Sequence, residues 1–501
     1  MIRFSINRKV VLCTVIVCIL AVAVIGAKFQ IIETFQGEKI HYDKNITTYG
    51  IDIDFDPVER IITGNEKVKY TNQSNTTFNA LYFHLYPNAF KKQDTVPFEK
   101  NEMDRAYPKG FEQGYIEIQD VQKNNEPLNH VVMGIGDTIL KVNLKNSLEP
   151  GEKIELDIKF CVKIPPSYGR FGYGEHTVNI ANWYPIVAVF DKKGWNLEPY
   201  HSIGDPFYSD VANYRVEVST SNEYVFAHTG KCVKKEKVDG KIRWTLEAKC
   251  VRDFAMIASE NYQSMDDEID GVKIFSYYFD DTFGDLALSC AKDSIKIFSE
   301  LYGKYPYKEF SVAASDFFIG GMEYPNLVFI DQSLYKEEYK EILEYIVVHE
   351  VAHQWWYGIV GNDEVNEPWL DEGLTEYSTL LYYEKKYGKE KMNEVYKNLI
   401  AKPYHAYESR HPNNKNGVYK SINKFENAYE YQALVYHKGA MFIKELRKKL
   451  GDEIFFQVMK VYFDKYKYKN ANTEDFLGVC EKVSNQSLRE EFEKWLSYEK
   501  E

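Results

Sequence analysis

The residues in this 501-residue chain whose types and spacing most clearly point to chemistry are His349-Glu350-Val351-Ala352-His353. They lie within an apolar stretch of helical periodicity, Lys340 to Tyr357, and two histidines four apart share one helix face. Both imidazoles can therefore point at a single cation, with Glu350 beside them rather than beneath it. A catalytic cation needs a third protein ligand and one open position for water. Glu372 meets that need within Trp369-Leu370-Asp371-Glu372-Gly373, on the next predicted helix, Pro368 to Tyr387. The connection from Gly358 to Glu367 is long enough to reverse direction and return that helix antiparallel to the first. A helix that merely buries two histidines is the plain alternative, and the downstream glutamate counts against it.

Two neutral imidazoles and one carboxylate are a donor set for one Zn2+ per chain, although neighbouring first-row ions can occupy such a set. Zinc held this way acidifies a bound water and polarises a carbonyl, and Glu350 is then the general base that moves the proton to a leaving amine. Glu376, one turn after Glu372 on the same face, is placed to accept the outer N–H of a ligand histidine. Its alternative is an ordinary solvated helix glutamate.

The surrounding elements fall into two kinds. From about Ile40 to Ser259 short alternating segments, such as Ile51, Ile53 and Phe55 or Tyr214, Val216 and Val218, are separated by turns at Pro150-Gly151 and Asp239-Gly240. That pattern predicts mostly antiparallel sheet. From Phe283 onward longer helical stretches follow: Leu286 to Leu301, Lys340 to Tyr357, Pro368 to Tyr387 and Tyr429 to Leu450, with Gly358, Gly388 and Gly451 as C-terminal stops. The acidic stretch Met265-Asp266-Asp267-Glu268 marks a boundary near 260 to 272.

The net charge of -13, from 62 basic and 75 acidic residues with no charged tail, fits a solvated surface and excludes a nucleic-acid partner. Residues 1–30 stand apart as a targeting segment. Arg3, Arg8 and Lys9 precede an uncharged, almost wholly apolar run from Val10 to Ala27, long enough to span a bilayer with the rest of the chain outside. The small-x-small triplet Ala21-Val22-Ala23 allows a cleaved signal and a secreted product as the alternative. Outside that run five cysteines remain, none in a C-x-x-C pair, so no cysteine metal site or disulfide framework is expected.

These motifs together resemble the zinc aminopeptidases typified by membrane alanyl aminopeptidase, gluzincins related to the leukotriene hydrolases. The resemblance rests on Leu81-Tyr82-Phe83-His84-Leu85-Tyr86-Pro87, Val251-Arg252-Asp253-Phe254-Ala255, Gly320-Gly321-Met322-Glu323, the His349 to Glu372 set and Tyr436-His437-Lys438-Gly439-Ala440, in that order. It implies that Glu323 binds the free amino group of a peptide substrate and that Gly320, Gly321 and Met322 line the cleft. It also implies that Tyr436 donates to the oxyanion on the scissile carbonyl. Tyr324-Pro325 departs from the asparagine usual after the strand glutamate, which bears on the shape of the first substrate pocket. Only 65 residues follow Tyr436, so the expectation is a short form with a more open cleft.

The expected fold is α+β and multidomain. An N-terminal antiparallel β-sandwich-like domain over 40–260 precedes a mainly helical thermolysin-like zinc peptidase domain over 261–501, with Gly320 to Glu323 on the cleft edge of a small sheet. A thermolysin-like endopeptidase would share the metal set but gain nothing from Glu323. A lipid-epoxide hydrolase lacks any sign of a lipid channel. A non-enzymatic cell-surface peptide-binding protein has no need of Glu350 or Tyr436.

Overall fold

In the computed structural model, residues 45–221, 223–280, 283–412 and 417–497 are described, and 45–501 form one compact unit. The apolar run Val10 to Ala27 lies outside the described residues. Among the described residues no helix is long and apolar enough to cross a membrane.

The alternating segments of the first half pair as their periodicity predicts. An eight-stranded sheet runs in the order Lys231–Val238, Lys241–Val251, Ala212–Thr220, Thr47–Asp56, Ile61–Thr71, Lys153–Lys163, Tyr115–Lys123, Glu126–Pro127. It is antiparallel except where Thr47–Asp56 lies parallel to Ala212–Thr220. Asp239 and Gly240, both at positive φ, close the tight hairpin that brings Val238 opposite Lys241. Two four-stranded sheets, one around Phe78–His84 and one around Met256–Ser259, contribute inward side chains to the same core. Ile51, Ile53, Phe55, Val216 and Val218 of the large sheet meet Leu81, Phe83, Leu140 and Val142 there, giving the sandwich-like arrangement. Cys161, Cys232, Cys250, Cys290 and Cys480 are free thiols.

The acidic stretch at 265–268 is part of a strand, Gln263–Ile269. It opens a five-stranded sheet ordered Gln263–Ile269, Val272–Tyr278, Glu309–Ser315, Leu327–Asp331, Gly321–Met322. Gly321–Met322 is therefore an edge strand, antiparallel to its one neighbour. The helices that follow have their own apolar core, built on α1 (Gly284–Leu301), α2 (Lys340–Ala352), α3 (Trp369–Tyr387) and α4 (Gly439–Leu450). Ala313, Met322, Leu327 and Phe329 of the five-stranded sheet, with Phe317 and Tyr324 from its connections, belong instead to the core of the N-terminal sheets. The strand nearest the cleft is thus packed by one half of the molecule and extended by the other.

Two helices differ from their predicted extents. The stretch Lys340 to Tyr357 is α-helical only to Ala352, because the chain turns through Trp355 and Trp356 and Val360–Gly361 then pairs with Lys469–Asn470. Gly358 is consequently not the stop of that helix, whereas Gly388 and Gly451, at positive φ, do cap theirs. Tyr429 to Leu450 is divided into a short α-helix (Ala428–Tyr431), a π-helical stretch (Gln432–Lys438) and α4.

Candidate metal centre and substrate cleft

The i, i+4 spacing on α2 sets the rings of His349 and His353 side by side at the end of that helix, their Nε2 atoms 3.0 Å apart. The antiparallel return places Glu372, in the first turn of α3, against both rings, with Oε2 3.4 Å from each Nε2. Each ring is held from behind. His349 Nδ1 donates to Glu376 Oε2 at 2.9 Å, and His353 Nδ1 donates to Asp371 Oδ1 at 2.5 Å. An ionised carboxylate only accepts, so both protons of the neutral rings sit on Nδ1 and both Nε2 atoms present lone pairs. With both rings neutral, two lone pairs and a carboxylate oxygen converge with no proton between them, an arrangement that a bound cation would satisfy. Glu372 Oε2, fully buried, finds no hydrogen bond. That donor set fits a cation, and these three atoms satisfy the mutual spacing of a metal site.

Electrostatics point the same way. Burial opposes charging His349, but Glu372 and Glu376 outweigh it and raise its pKa to about 10. Burial also opposes ionising Glu372, yet His353 and His349 pull its carboxyl down to about 2. The cluster thus draws positive charge to itself, and a divalent cation supplies that charge without protonating the rings.

The other predicted site residues line the same cavity of about 920 Å³, except Met322, whose side chain turns into the core of the N-terminal sheets. Glu350 is buried beside the two histidines. Burial lifts its carboxyl to about 7 against the pull of His349 and His353, and its Oε2 makes no hydrogen bond. Gly321 lies directly over it: a Cβ there would come within 2.2 Å of Glu350 Oε1, so only glycine lets the edge strand pass. Gly320 lines the cavity, while Met322 is buried with its sulfur 2.9 Å from Arg170 Nε. Glu323 faces the cavity with Oε1 unpaired, and burial pushes its carboxyl well above the usual range.

Tyr436 arrives by a different route. Gly373 and Gly439 let the backbones of α3 and α4 touch, a Cβ on Gly373 lying 3.2 Å from Gly439 Cα. The π-helical stretch just before Gly439 then aims the Tyr436 hydroxyl at Glu372 Oε1, to which it donates. Burial and the neighbouring Glu372 keep the phenol protonated, so it remains a donor.

Four further residues of the site carry no role in the sequence analysis. Asp371 orients His353, and a signal for it existed: it adjoins Glu372, and a second ligand ring also needs an acceptor. Tyr345 donates to Glu376 Oε1 at 2.6 Å from one turn before His349. Arg170 and Asp205 form a buried ion pair in the cavity wall, brought together by the N-terminal sheets with no local pattern to mark them.

Residues 286–495 match the family model described as the peptidase family M1 domain. The chain is 20% identical over 460 residues to aminopeptidase 2 of Candida albicans, covering 87% of this chain and 48% of that protein. It is 25% identical over 304 residues to the mitochondrial aminopeptidase 2 of Saccharomyces cerevisiae, covering 58% of this chain and 30% of that one. The matches thus span about half or less of these relatives' length. In structure it is similar to an M1 zinc metallopeptidase from Deinococcus radiodurans, with a TM-score of 0.66 at 16% identity over 90% of this chain and 94% of the other. A variant of that enzyme bound to a Tyr-Ser-Ala substrate superposes with a TM-score of 0.62 at 15% identity over the same shares. The domain match identifies residues 286–495 as a peptidase family M1 domain, and the His-His-Glu cluster lies within it.

Proposed function

We propose that this chain is a zinc-dependent aminopeptidase that hydrolyses the N-terminal bond of peptides. The observation that carries the reading is the convergence of His349 Nε2, His353 Nε2 and Glu372 Oε2 in a cleft that also holds an unpaired, buried Glu323. The curated relatives named aminopeptidase and the substrate-bound Deinococcus enzyme support it.

In this reading His349, His353 and Glu372 hold Zn2+, which when bound polarises the scissile carbonyl and acidifies water. Glu350, with its carboxyl near neutrality, takes the proton from the attacking water and delivers it to the leaving amine. Asp371 and Glu376 keep the ligand rings in the Nδ1–H tautomer. Tyr436 supplies its hydroxyl to negative charge developing on the carbonyl oxygen, a contact stronger in the transition state than in the ground state. Glu323 pairs with the substrate ammonium, which brings a compensating charge to its carboxylate and fixes the first peptide bond over the metal. The cavity has room for a peptide as well as for a small amide.

An amino-acyl amide should be turned over without chelator and not with it. A free-amine peptide should be cleaved far faster than its acetylated form, and Glu323→Ala should cost about 2–4 kcal/mol, roughly a hundredfold in kcat/KM, at unchanged zinc content. Equal cleavage of free and acetylated peptide by the unaltered enzyme leaves the endopeptidase reading in its place. We also propose that Val10 to Ala27 tethers the domain to the outer face of a membrane. Protease added to intact cells should then remove the catalytic domain, and a carbonate wash should not. A soluble product beginning near Val24 is the contrary result.

A further inference from the structure

The segment from Asp316 to Tyr324, which carries the glycines and Glu323 of the cleft, is fastened in its own half by Gln332 on Asp316, by Asp331 N on Gly320 O at 2.8 Å and by Gln354 Nε2 and Leu327 N on Tyr324 O at 3.2 and 3.0 Å. Its edge strand pairs with one neighbour only. Three further sets of contacts come from the N-terminal sheets and reach Asp316, Met322 and the Tyr324 hydroxyl from outside that half.

At its start, the buried Asp316 carboxylate accepts from the backbone N–H groups of His176 at 2.6 Å and Thr177 at 2.9 Å. Thr177 Oγ1 accepts in return from Asp316 N, and Asn179 Nδ2 donates to Asp316 O, both at 3.0 Å. In its middle, Arg170 bears on Met322 while paired with Asp205. At its end, the fully buried Tyr324 donates its hydroxyl to Asn182 Oδ1 at 2.7 Å. Asn182 in turn donates to Asp253 Oδ2 at 2.6 Å, and Asp253 Oδ1 accepts from Tyr184 at 3.0 Å and from Phe254 N at 2.6 Å. The last of these chains reaches the residue next to Glu323, so whatever fixes Tyr324 fixes the backbone from which Glu323 projects.

We propose that Tyr324 and Asn182 are positioning residues for Glu323, so that the N-terminal sheets set amine recognition as well as closing the cleft. The inference rests on the reading of Glu323 as the ammonium ligand. Moving Glu323 by a fraction of an ångström weakens a charge-assisted contact whose strength depends on distance and alignment. The metal cluster on α2 and α3 has its own fastenings and is not moved.

Tyr324→Phe tests this, since it removes one hydroxyl and keeps the packing. Tyr302→Phe is the structural control: its hydroxyl, 2.8 Å from Ser378 Oγ, is likewise buried, but in the helical core. For each variant of the full chain, kcat/KM would be measured on a free-amine peptide and its acetylated form, together with zinc content and thermal midpoint. The expectation for Tyr324→Phe is about a tenfold smaller preference for the free amine, carried mostly by KM, with zinc retained. Tyr302→Phe should lower the midpoint by a similar amount and leave the preference intact. A Tyr324→Phe enzyme with the full preference overturns the inference and leaves the aminopeptidase reading standing. An unaltered enzyme with no preference overturns that reading, and the inference with it.

Discussion

Glu372 and Glu66 are both removed from solvent, at 2% and 0% exposure, one in the helical wall of the cleft and one in the N-terminal sheet, yet they titrate in opposite directions. Two imidazoles hold Glu372 ionised against its burial. Among the described residues Glu66 has no cationic partner and no hydrogen bond to either oxygen, and burial drives its carboxyl well above the usual range. Burial sets the cost of a charge and the neighbours decide whether it persists. The helical half is built around charge that a cation completes, whereas the interior of the sheet holds Glu66 as a neutral group.

The largest effects should come from breaking the charged side of this comparison. His353→Ala or Glu372→Ala leaves two ligands where three are needed, and zinc should be lost by elemental analysis together with turnover. Glu350→Ala should retain the metal and lose turnover by about 10²–10⁴. Full zinc occupancy in both ligand variants contradicts their assignment, and loss of zinc in Glu350→Ala contradicts its role as base.

A smaller effect should follow from loosening the rings without touching the metal. Asp371→Ala and Glu376→Ala each remove the acceptor that fixes a ligand tautomer, so metal affinity should fall about 10–100-fold in chelator competition. Glu376 also takes the Tyr345 hydroxyl, so its loss strands two donors, whereas without Asp371 the His353 Nδ1 still has Trp356 O at 3.2 Å and Thr375 Oγ1 at 3.1 Å, and the smaller loss is expected there. Unchanged affinity in both variants would mean that the rings are held by packing alone.

What was legible in the sequence follows the reach of each interaction. The spacing of His349, His353 and Glu372 was readable because one helix repeat and one chain reversal suffice to bring them together. The alternation of Ile51, Ile53 and Phe55 was readable for the same local reason. The end of α2 at Ala352 was not, because the turn through Trp355 and Trp356 is fixed by packing and by the pairing of Val360–Gly361 with a strand more than 100 residues away. The π-helical stretch around Tyr436 keeps an ordinary helical pattern of side chains, and only the contact of Gly373 with Gly439 shows where it must bend. The hydrogen bond from Tyr324 to Asn182 joins residues 142 apart, and neither has a local pattern that calls for it.

The smallest effect concerns the uncharged side. Glu66 projects inward from the strand Ile61–Thr71, opposite Ile51 and Ile158 on the flanking strands. Its carboxyl is raised in the folded state relative to the ordinary value of 4.5, so folded protein keeps a proton there that unfolded chain gives up. Stability tied to the protonated group is fully present below pH 4.5 and declines as pH rises towards the folded value. The slope is ~1.4 kcal/mol per pH unit while only the unfolded state is ionised. Glu66→Gln keeps the shape and cannot ionise, so it should abolish that slope. Urea midpoints of Glu66→Gln and unaltered protein, with zinc held constant, should differ least near pH 4 and increasingly in favour of the glutamine variant towards pH 6. A difference independent of pH would mean that Glu66 is ionised in the folded sheet, and the contrast with Glu372 would then rest on partners still to be located around the strand.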